Sequence, residues 1–500
     1  MNYESSRGQF FGICAADAIK TGIAPDGGLF CPEHIPLMSE EGFQALEELT
    51  YQERAGHILA GYLSDFDPLE IKHCIEGAYN SKNFDDSRIA PLIQMGEKTY
   101  IQELWHGPTC AFKDMALQIL PYLMTASMKK TGESSEIVIL VATSGDTGKA
   151  ALEGFSNVDG TRIIVFYPDQ GVSEVQKLQM VTQEGRNVYA AGVKGNFDDA
   201  QSGVKNIFSS QDYNRTLVQQ GMKLSSANSI NWGRLLPQIV YYISAYIDLR
   251  IEGAVQAGDR INLVVPTGNF GNILAAYYAG RMGVPIGKLI CAANSNNVLT
   301  DFIRSGIYDR NRSFERTISP SMDILISSNL ERLLFEITGH DASRVAGWME
   351  ELKNSGRYEV GPEVYQEVQK YFWSDCCSDE ETIEAIRHTW QERHYLIDTH
   401  TAVAVNVYEK YLEATGDDTV AIIVSTASPF KFGNSVARAV LPPGMVAGRN
   451  EFELLYLLEE HTGVKMPEAI KGLEHRTIRH KTICRVEDMQ QTVSDFLGIS

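Results

Sequence analysis

Lys113 stands in His106-Gly107-Pro108-Thr109-Cys110-Ala111-Phe112-Lys113-Asp114, one residue past an aromatic and just after a Gly-Pro turn, where a helix is expected to start. A lysine held this way is kept out of bulk water, and desolvation favours its neutral amine. A neutral amine is a nucleophile that can form a Schiff base. Most lysines are solvated surface charges, so this segment needs support from the rest of the chain.

Three loops of small polar residues supply it, each following an apolar run. In Ser144-Gly145-Asp146-Thr147-Gly148 the glycines let backbone N–H groups converge, and the next helix adds a positive dipole end. This is a generic anion cradle and not a nucleotide P-loop: Thr143 replaces the first glycine, and Ala150 the magnesium-binding hydroxyl. Gly268-Asn269-Phe270-Gly271-Asn272 does not match a dinucleotide fingerprint, but its form suits one phosphate group. In Ser425-Thr426-Ala427-Ser428-Pro429 a hydroxyl either bonds a bound heterocycle or caps the next helix.

Two further stretches are dense in polar groups. Asn228-Ser229-Ile230-Asn231-Trp232-Gly233-Arg234 reads equally as a pocket wall with Arg234 facing an anion, or as a helix start with a surface arginine. In Asp398-Thr399-His400-Thr401 the expectation is a helix cap at Asp398 or Thr399, with His400 more often structural than a pocket residue.

The elements that must position these loops are strands at 137–142, 162–167, 188–193, 261–265, 289–293 and 420–425, with helical stretches between, one of them from Lys149. Buried strands alternating with helices predict a parallel α/β architecture. Residues 1–95 read as mixed helix and turn, and 310–395 as a polar, mostly helical insertion or layer. No repeat, low-complexity tract or linker interrupts the chain, so interlocked domains are expected.

With 500 residues, 44% hydrophobic and 22% charged, the chain has ample material for a core. A net charge of −20 argues against nucleic acid and anionic membranes as main partners, and an anionic small substrate would need a local positive pocket. The eight cysteines are scattered, without metal-site spacing, so no metal is expected. Their scatter, and a start without the pattern of a signal peptide, predict a reducing cytoplasmic location. No apolar run approaches the ~20 residues of a membrane-spanning helix.

Taken together these stretches resemble threonine synthase, a pyridoxal-phosphate enzyme family of the tryptophan-synthase-β-like fold. Pro108-Thr109 with Phe112-Lys113-Asp114 resembles its Schiff-base lysine segment, Ala142 through Gly148 its substrate loop, and Pro266 through Asn272 its cofactor-phosphate loop. Asn228 through Trp232, Asp398 through Ala402, Ser6-Arg7-Gly8 and Ala24 through Leu29 also fit, so the likeness runs to beyond 430 and points to the longer bacterial and fungal form. Two departures touch the pocket wall: Ser428 stands where many relatives carry histidine, and Lys149 where a small residue is common.

The resemblance implies an α/β protein of PLP fold type II: two interlocked parallel-sheet domains with an N-terminal mixed domain. The N-terminal domain would span 1–95, the large cofactor domain 96–135 and 220–500, and the small domain 136–219. It implies pyridoxal 5′-phosphate held by Lys113, by Gly268, Asn269, Phe270, Gly271 and Asn272, and by Thr426 at the pyridine nitrogen. It implies substrate contacts from Thr109, Ser144, Asp146, Thr147, Asn228, Asn231 and Arg234. The activity implied is conversion of O-phospho-L-homoserine and water to L-threonine and phosphate, with Lys113 as proton shuttle, in a monomer or homodimer. A lyase or dehydratase of the same fold and a non-catalytic cofactor-binding protein are the alternatives. A second carboxylate, Asp146, facing the substrate carboxylate is awkward: its side chain points away, or it reads an amino or hydroxyl group.

Overall fold

Runs of buried β-branched and aliphatic residues build the sheets of this protein, seen in a computed structural model that describes residues 1–170 and 172–499. In chain order the strands are β1 (Tyr3–Ser5), β2 (Phe30–Pro32), β3 (Leu92–Gln94), β4 (Thr99–Glu103), β5 (Glu136–Ala142), β6 (Thr161–Pro168), β7 (Val188–Val193) and β8 (Met222–Ser225). There follow β9 (Ile261–Pro266), β10 (Ile286–Ala293), β11 (Ile307–Asp309), β12 (Arg357–Glu359), β13 (Phe372–Cys376), β14 (Ala421–Ser425) and β15 (Thr482–Cys484).

Six strands form one sheet in the order β13-β10-β9-β14-β4-β3, and five form another in the order β15-β7-β6-β5-β8. Every pairing in both is parallel except β3 with β4. Helices cover the faces, and β5 is buried from Ile137 to Ala142, as a doubly covered parallel strand must be. The sequence reading thus holds for the α/β class and for all six strands it named, each within a few residues.

Three differences have physical causes. The small sheet takes only β5, β6 and β7 from the span 136–219; its edges are β8 and β15. Both edges are short and partly exposed, so they lack the apolar run that marks an interior strand. The span 310–395, expected to be helical, also holds β13, an edge strand of the large sheet whose polar Ser374 and Asp375 hide its character. The helix expected from Lys149 begins three residues earlier, at Asp146.

The N-terminal helices, Tyr51–Tyr62 and Pro68–Ala78 among them, pack on the large sheet's helices. Trp232, fully buried, is ringed by Tyr3, Tyr62 and Tyr278 at centroid distances of 5.5, 5.6 and 5.5 Å. This aromatic knot pins the first residues of the chain to the helix Trp232–Ile251, whose start lies at the cavity between the sheets.

Candidate active site

Two loops at the carboxyl ends of β4 and β14 are zipped together. Phe112 N–H donates to Thr426 O (2.8 Å), Ser428 N–H to Cys110 O (3.0 Å), and Ala111 bridges Ala427. Lys113 and Thr426 are therefore placed by backbone, not by side-chain chance. Asp114 tightens the lysine loop by accepting from Thr109 N–H (2.8 Å) and Thr109 Oγ1 (2.7 Å). Burial lifts the Asp114 carboxyl to about 6.

Lys113 Nζ lies 3.2 Å from Asp146 Oδ2, 3.3 Å from Ser321 Oγ and 5.0 Å from the centroid of the Phe112 ring. Burial pulls this amine below the ordinary lysine value; Asp146 resists, while Lys431 and Arg234 add to the fall. Asp146 opens the helix Asp146–Gly154. Its Oδ1 meets Lys431 Nζ at 3.1 Å and accepts from Gln176 Nε2 at 2.8 Å; its Oδ2 also accepts from Ser321 Oγ at 2.9 Å. Burial pushes this carboxyl up, but Lys431, Lys113, His400 and Gln176 outweigh it and hold it well below the usual range.

The cavity that Lys113 and Ser321 border has a volume of about 830 Å³. On one side is the loop ending at Phe270, a left-handed residue (φ 61°) that starts the helix Gly271–Arg281 without a side-chain cap. The first-turn N–H groups of such a helix are available to an anion. A Cβ on Gly268 would sit 2.7 Å from the Ser321 carbonyl oxygen, so only glycine allows this close approach. Asn272 Oδ1 accepts from Tyr241 and Tyr242 hydroxyls (2.5 and 2.6 Å), which aims its amide; that buried Nδ2 has no protein partner. Arg234 Nε is likewise buried and unpartnered, and burial lowers this guanidinium to about 10.

Two orphaned donors at one cavity signal an anionic occupant. Charge agrees: the wall carries Arg7, Lys113, Lys205, Arg234, Arg310 and Lys353. Among the described residues the one carboxylate in that wall is Glu331, held by Arg7 through two 3.0 Å bonds. A chain of net charge −20 thus concentrates positive charge at this cavity.

Of the residues singled out from sequence, Ser144, Thr147, Asn228, Arg234, Gly268 through Asn272 and Thr426 line the cavity with Lys113. Thr109, Asn231 and Asp146 do not. Thr109 is fully buried against Asp114, and its carbonyl accepts from Lys431 Nζ at 2.6 Å. Asn231 caps the helix Trp232–Ile251 by accepting from Gly233 N–H, and its amide holds Ile19 O and Ser226 O. Asp398 is the expected helix cap. His400 does more than expected: it lines the cavity, faces Asp398 Oδ1 through Nδ1 (2.9 Å), and accepts from Ser321 N–H at Nε2 (3.1 Å). Ser428 caps the turn Pro429–Phe432, and Lys149 pairs with Glu153 away from the wall.

Sequence reasoning missed Lys431, Gln176 and Ser321. Lys431 had a visible signal, a lysine between Phe430 and Phe432 much like Phe112-Lys113. Gln176 and Ser321 had none, because long-range packing alone brings them in.

Residues 88–426 match the profile described as pyridoxal-phosphate dependent enzyme, which gives the class that the two parallel sheets and the lysine between them define. Residues 2–79 match the threonine synthase N terminus and 401–494 the threonine synthase C-terminal region. The chain is 39% identical to threonine synthase of Pseudomonas aeruginosa over 88% of its own length and 90% of that protein. It is 34% identical to the pyridoxal-phosphate-bound threonine synthase structure from Brucella melitensis, with a TM-score of 0.86 over 99% of both chains. Human threonine synthase-like 1 is 42% identical over 85% of this chain, which spans 58% of that longer protein. The chain belongs to the threonine synthase family.

Its cofactor is pyridoxal 5′-phosphate, and the cavity fits it. The glycine loop, the helix start and the orphaned Asn272 amide suit a phosphate; Lys113 suits an aldehyde; Thr426, tied to Phe112 by backbone, suits the ring nitrogen. Among the described residues no group of His, Cys, Asp and Glu could hold a metal ion, and no helix is long and apolar enough to cross a membrane.

Proposed function

We propose that this chain is a threonine synthase, converting O-phospho-L-homoserine and water to L-threonine and phosphate. One observation carries the reading: a desolvated lysine amine borders a cavity whose wall gathers five further cations. When bound, the cofactor delocalises the electron pair left at the substrate carbons as protons depart.

The chain's residues do the rest. Lys113 Nζ takes protons from Cα and then Cβ of the substrate, so that phosphate can leave from Cγ. It returns protons to Cγ and Cα, and guides water to Cβ, where the new hydroxyl forms and the proton that water releases goes to the departed phosphate. Ser144, Thr147 and the start of the helix Asp146–Gly154 receive the substrate carboxylate. Asp146 is turned toward Lys113 and Lys431 and stays clear of it. Arg234 and Asn228 receive the substrate phosphate, a dianion whose burial needs a fixed cation. Thr426 offers the ring nitrogen a neutral hydroxyl, which leaves the ring less electron-withdrawing than a carboxylate would and restrains side reactions.

We read the chain as an N-terminal domain to about residue 95, a large cofactor domain, and a small domain built on 136–219 whose sheet is completed by β8 and β15 from outside that span, with the cavity walled by one copy. A reducing, cytoplasmic setting suits its eight free cysteines. The test is chemical. Purified protein given pyridoxal phosphate should fix the cofactor's mass on Lys113 after borohydride, and should release threonine and phosphate in equal amounts from phosphohomoserine. Ammonia and 2-oxobutyrate without threonine would make it a lyase; no fixation would remove the cofactor role of Lys113.

A further inference from the structure

Lys431 is fully buried, in the turn Pro429–Phe432, and its one ion-pair contact among the described residues is Asp146 Oδ1 at 3.1 Å, with Asp114 the other carboxylate that feels its charge. The other oxygen of that carboxylate faces Lys113 Nζ at 3.2 Å. One buried acid is thus shared by a buried amine and by the half-buried amine of Lys113. Lys431 Nζ also donates to Thr109 O at 2.6 Å, so it is anchored to the loop that carries Lys113.

We propose that Lys431 is a positioning residue that holds Asp146 as a fixed counter-ion and thereby keeps Lys113 as a free amine, ready for cofactor and proton transfer.

A lone Asp146–Lys113 pair in a desolvated pocket would be a closed ion pair, with the lysine protonated and its lone pair lost. A second ammonium on the far side of the carboxylate draws off that attraction and repels a charge on Lys113. Two cationic groups near each other depress the proton affinity of the one that can lose its proton. Lys431 Nζ is fixed between a carboxylate oxygen and a backbone carbonyl. The other groups facing Lys113 do not replace it. Arg234, from the helix Trp232–Ile251, adds a smaller like-charge push. Ser321 presents a hydroxyl, with His400 behind it bonded to Asp398. Asp114, next in sequence, is turned to Thr109.

This inference rests on Lys113 being the cofactor lysine, but its test does not use turnover. In the full-length protein freed of cofactor, acetic anhydride labelling of Lys113 is followed by peptide mass from pH 6 to 11, with the exposed Lys72 as internal reference. Lys431→Met should raise the Lys113 midpoint by about one pH unit, the size expected for a neighbouring charge. On the rising limb that is a tenfold slower labelling. Asp146→Asn should move the midpoint the other way, below wild type. A merely structural role for Lys431 would not give opposite signs. Coincident Lys431→Met and wild-type profiles, or an Asp146→Asn midpoint that also rises, would overturn the inference. If Lys431→Met does not fold, Lys431→Gln, which removes the charge and keeps an N–H donor for Thr109 O, is read in its place against the same two outcomes. Borohydride fixation on wild-type Lys113 tests the cofactor role separately, so the two failures are distinguishable.

Discussion

Lys113 Nζ and Asp146 Oδ2 lie 3.2 Å apart, although one follows a strand of the six-stranded sheet and the other a strand of the five-stranded sheet. The Lys113 amine is therefore set where the two sheets' loops meet, the place where open α/β sheets bind ligands. Removing the amine should cost most of the chemistry and little of the fold. Lys113→Ala is expected to lower kcat by about 10³-fold or more, as loss of a positioned proton carrier does. Borohydride should then fix no cofactor on the chain, while thermal unfolding stays near wild type.

Arg234 has a buried Nε without a partner and a guanidinium drawn down by burial, so an anion should bind it strongly. Arg234→Met is expected to raise KM for the phosphorylated substrate by at least about tenfold, the worth of one charge-assisted hydrogen bond of about 1.5–3 kcal/mol. Inorganic phosphate should also lose its inhibition. An unchanged KM with unchanged phosphate inhibition would place the substrate phosphate elsewhere along the cationic wall.

Thr426 is buried beside the lysine loop and carries no charge. Thr426→Asp would put a carboxylate opposite the cofactor ring and stabilise a protonated ring nitrogen. The expected outcome is a measurable rise in transamination by-products over threonine, read by product analysis. An unaltered product ratio would rule out this control by the hydroxyl.

Gly154 lets the helix Asp146–Gly154 touch the lysine-bearing segment. A Cβ there would sit 2.0 Å from the Leu117 carbonyl oxygen, which is backbone and cannot move aside. Gly154→Ala should destabilise by about 3 kcal/mol, the upper end for overpacking. A urea midpoint within error of wild type would contradict this contact.

His106 is gripped by Asp85 at 2.6 Å and Glu103 at 2.8 Å. Burial alone would lower this imidazole, but the two carboxylates outweigh it and lift it to about 9 from 6.5. The folded state then holds the proton more tightly than the unfolded chain. The stabilisation is complete below pH ~6.5 and is lost as pH rises through about 9. Allowing for the exposed Asp85, it is worth about 2 kcal/mol. Urea midpoints should fall between pH 6 and 9.5, and His106→Gln should flatten that fall.

Much of this was written locally. Apolar runs of five or six residues identified the interior strands because a strand buried on both faces needs little else. The glycines at 145, 268 and 271 marked the two anion loops, since close backbone approach admits no side chain. Phe112-Lys113 marked the amine. Edge strands such as β13 and β15 were not legible, because half-exposed backbone tolerates polar residues and leaves no pattern.

What the chain's sequence determined by itself was the class of fold, the loops and the lysine segment, all set by short-range chemistry and periodicity. Only the tertiary structure decided which charges the lysine meets. It turned Asp146 toward Lys113 and Lys431, withdrew Thr109 and Asn231 into the scaffold, and brought Ser321 and Arg310 from far along the chain to the cavity. The physical reason is that electrostatic influence in a desolvated pocket depends on distances of a few ångströms between groups up to 200 or more residues apart. No local pattern encodes such distances.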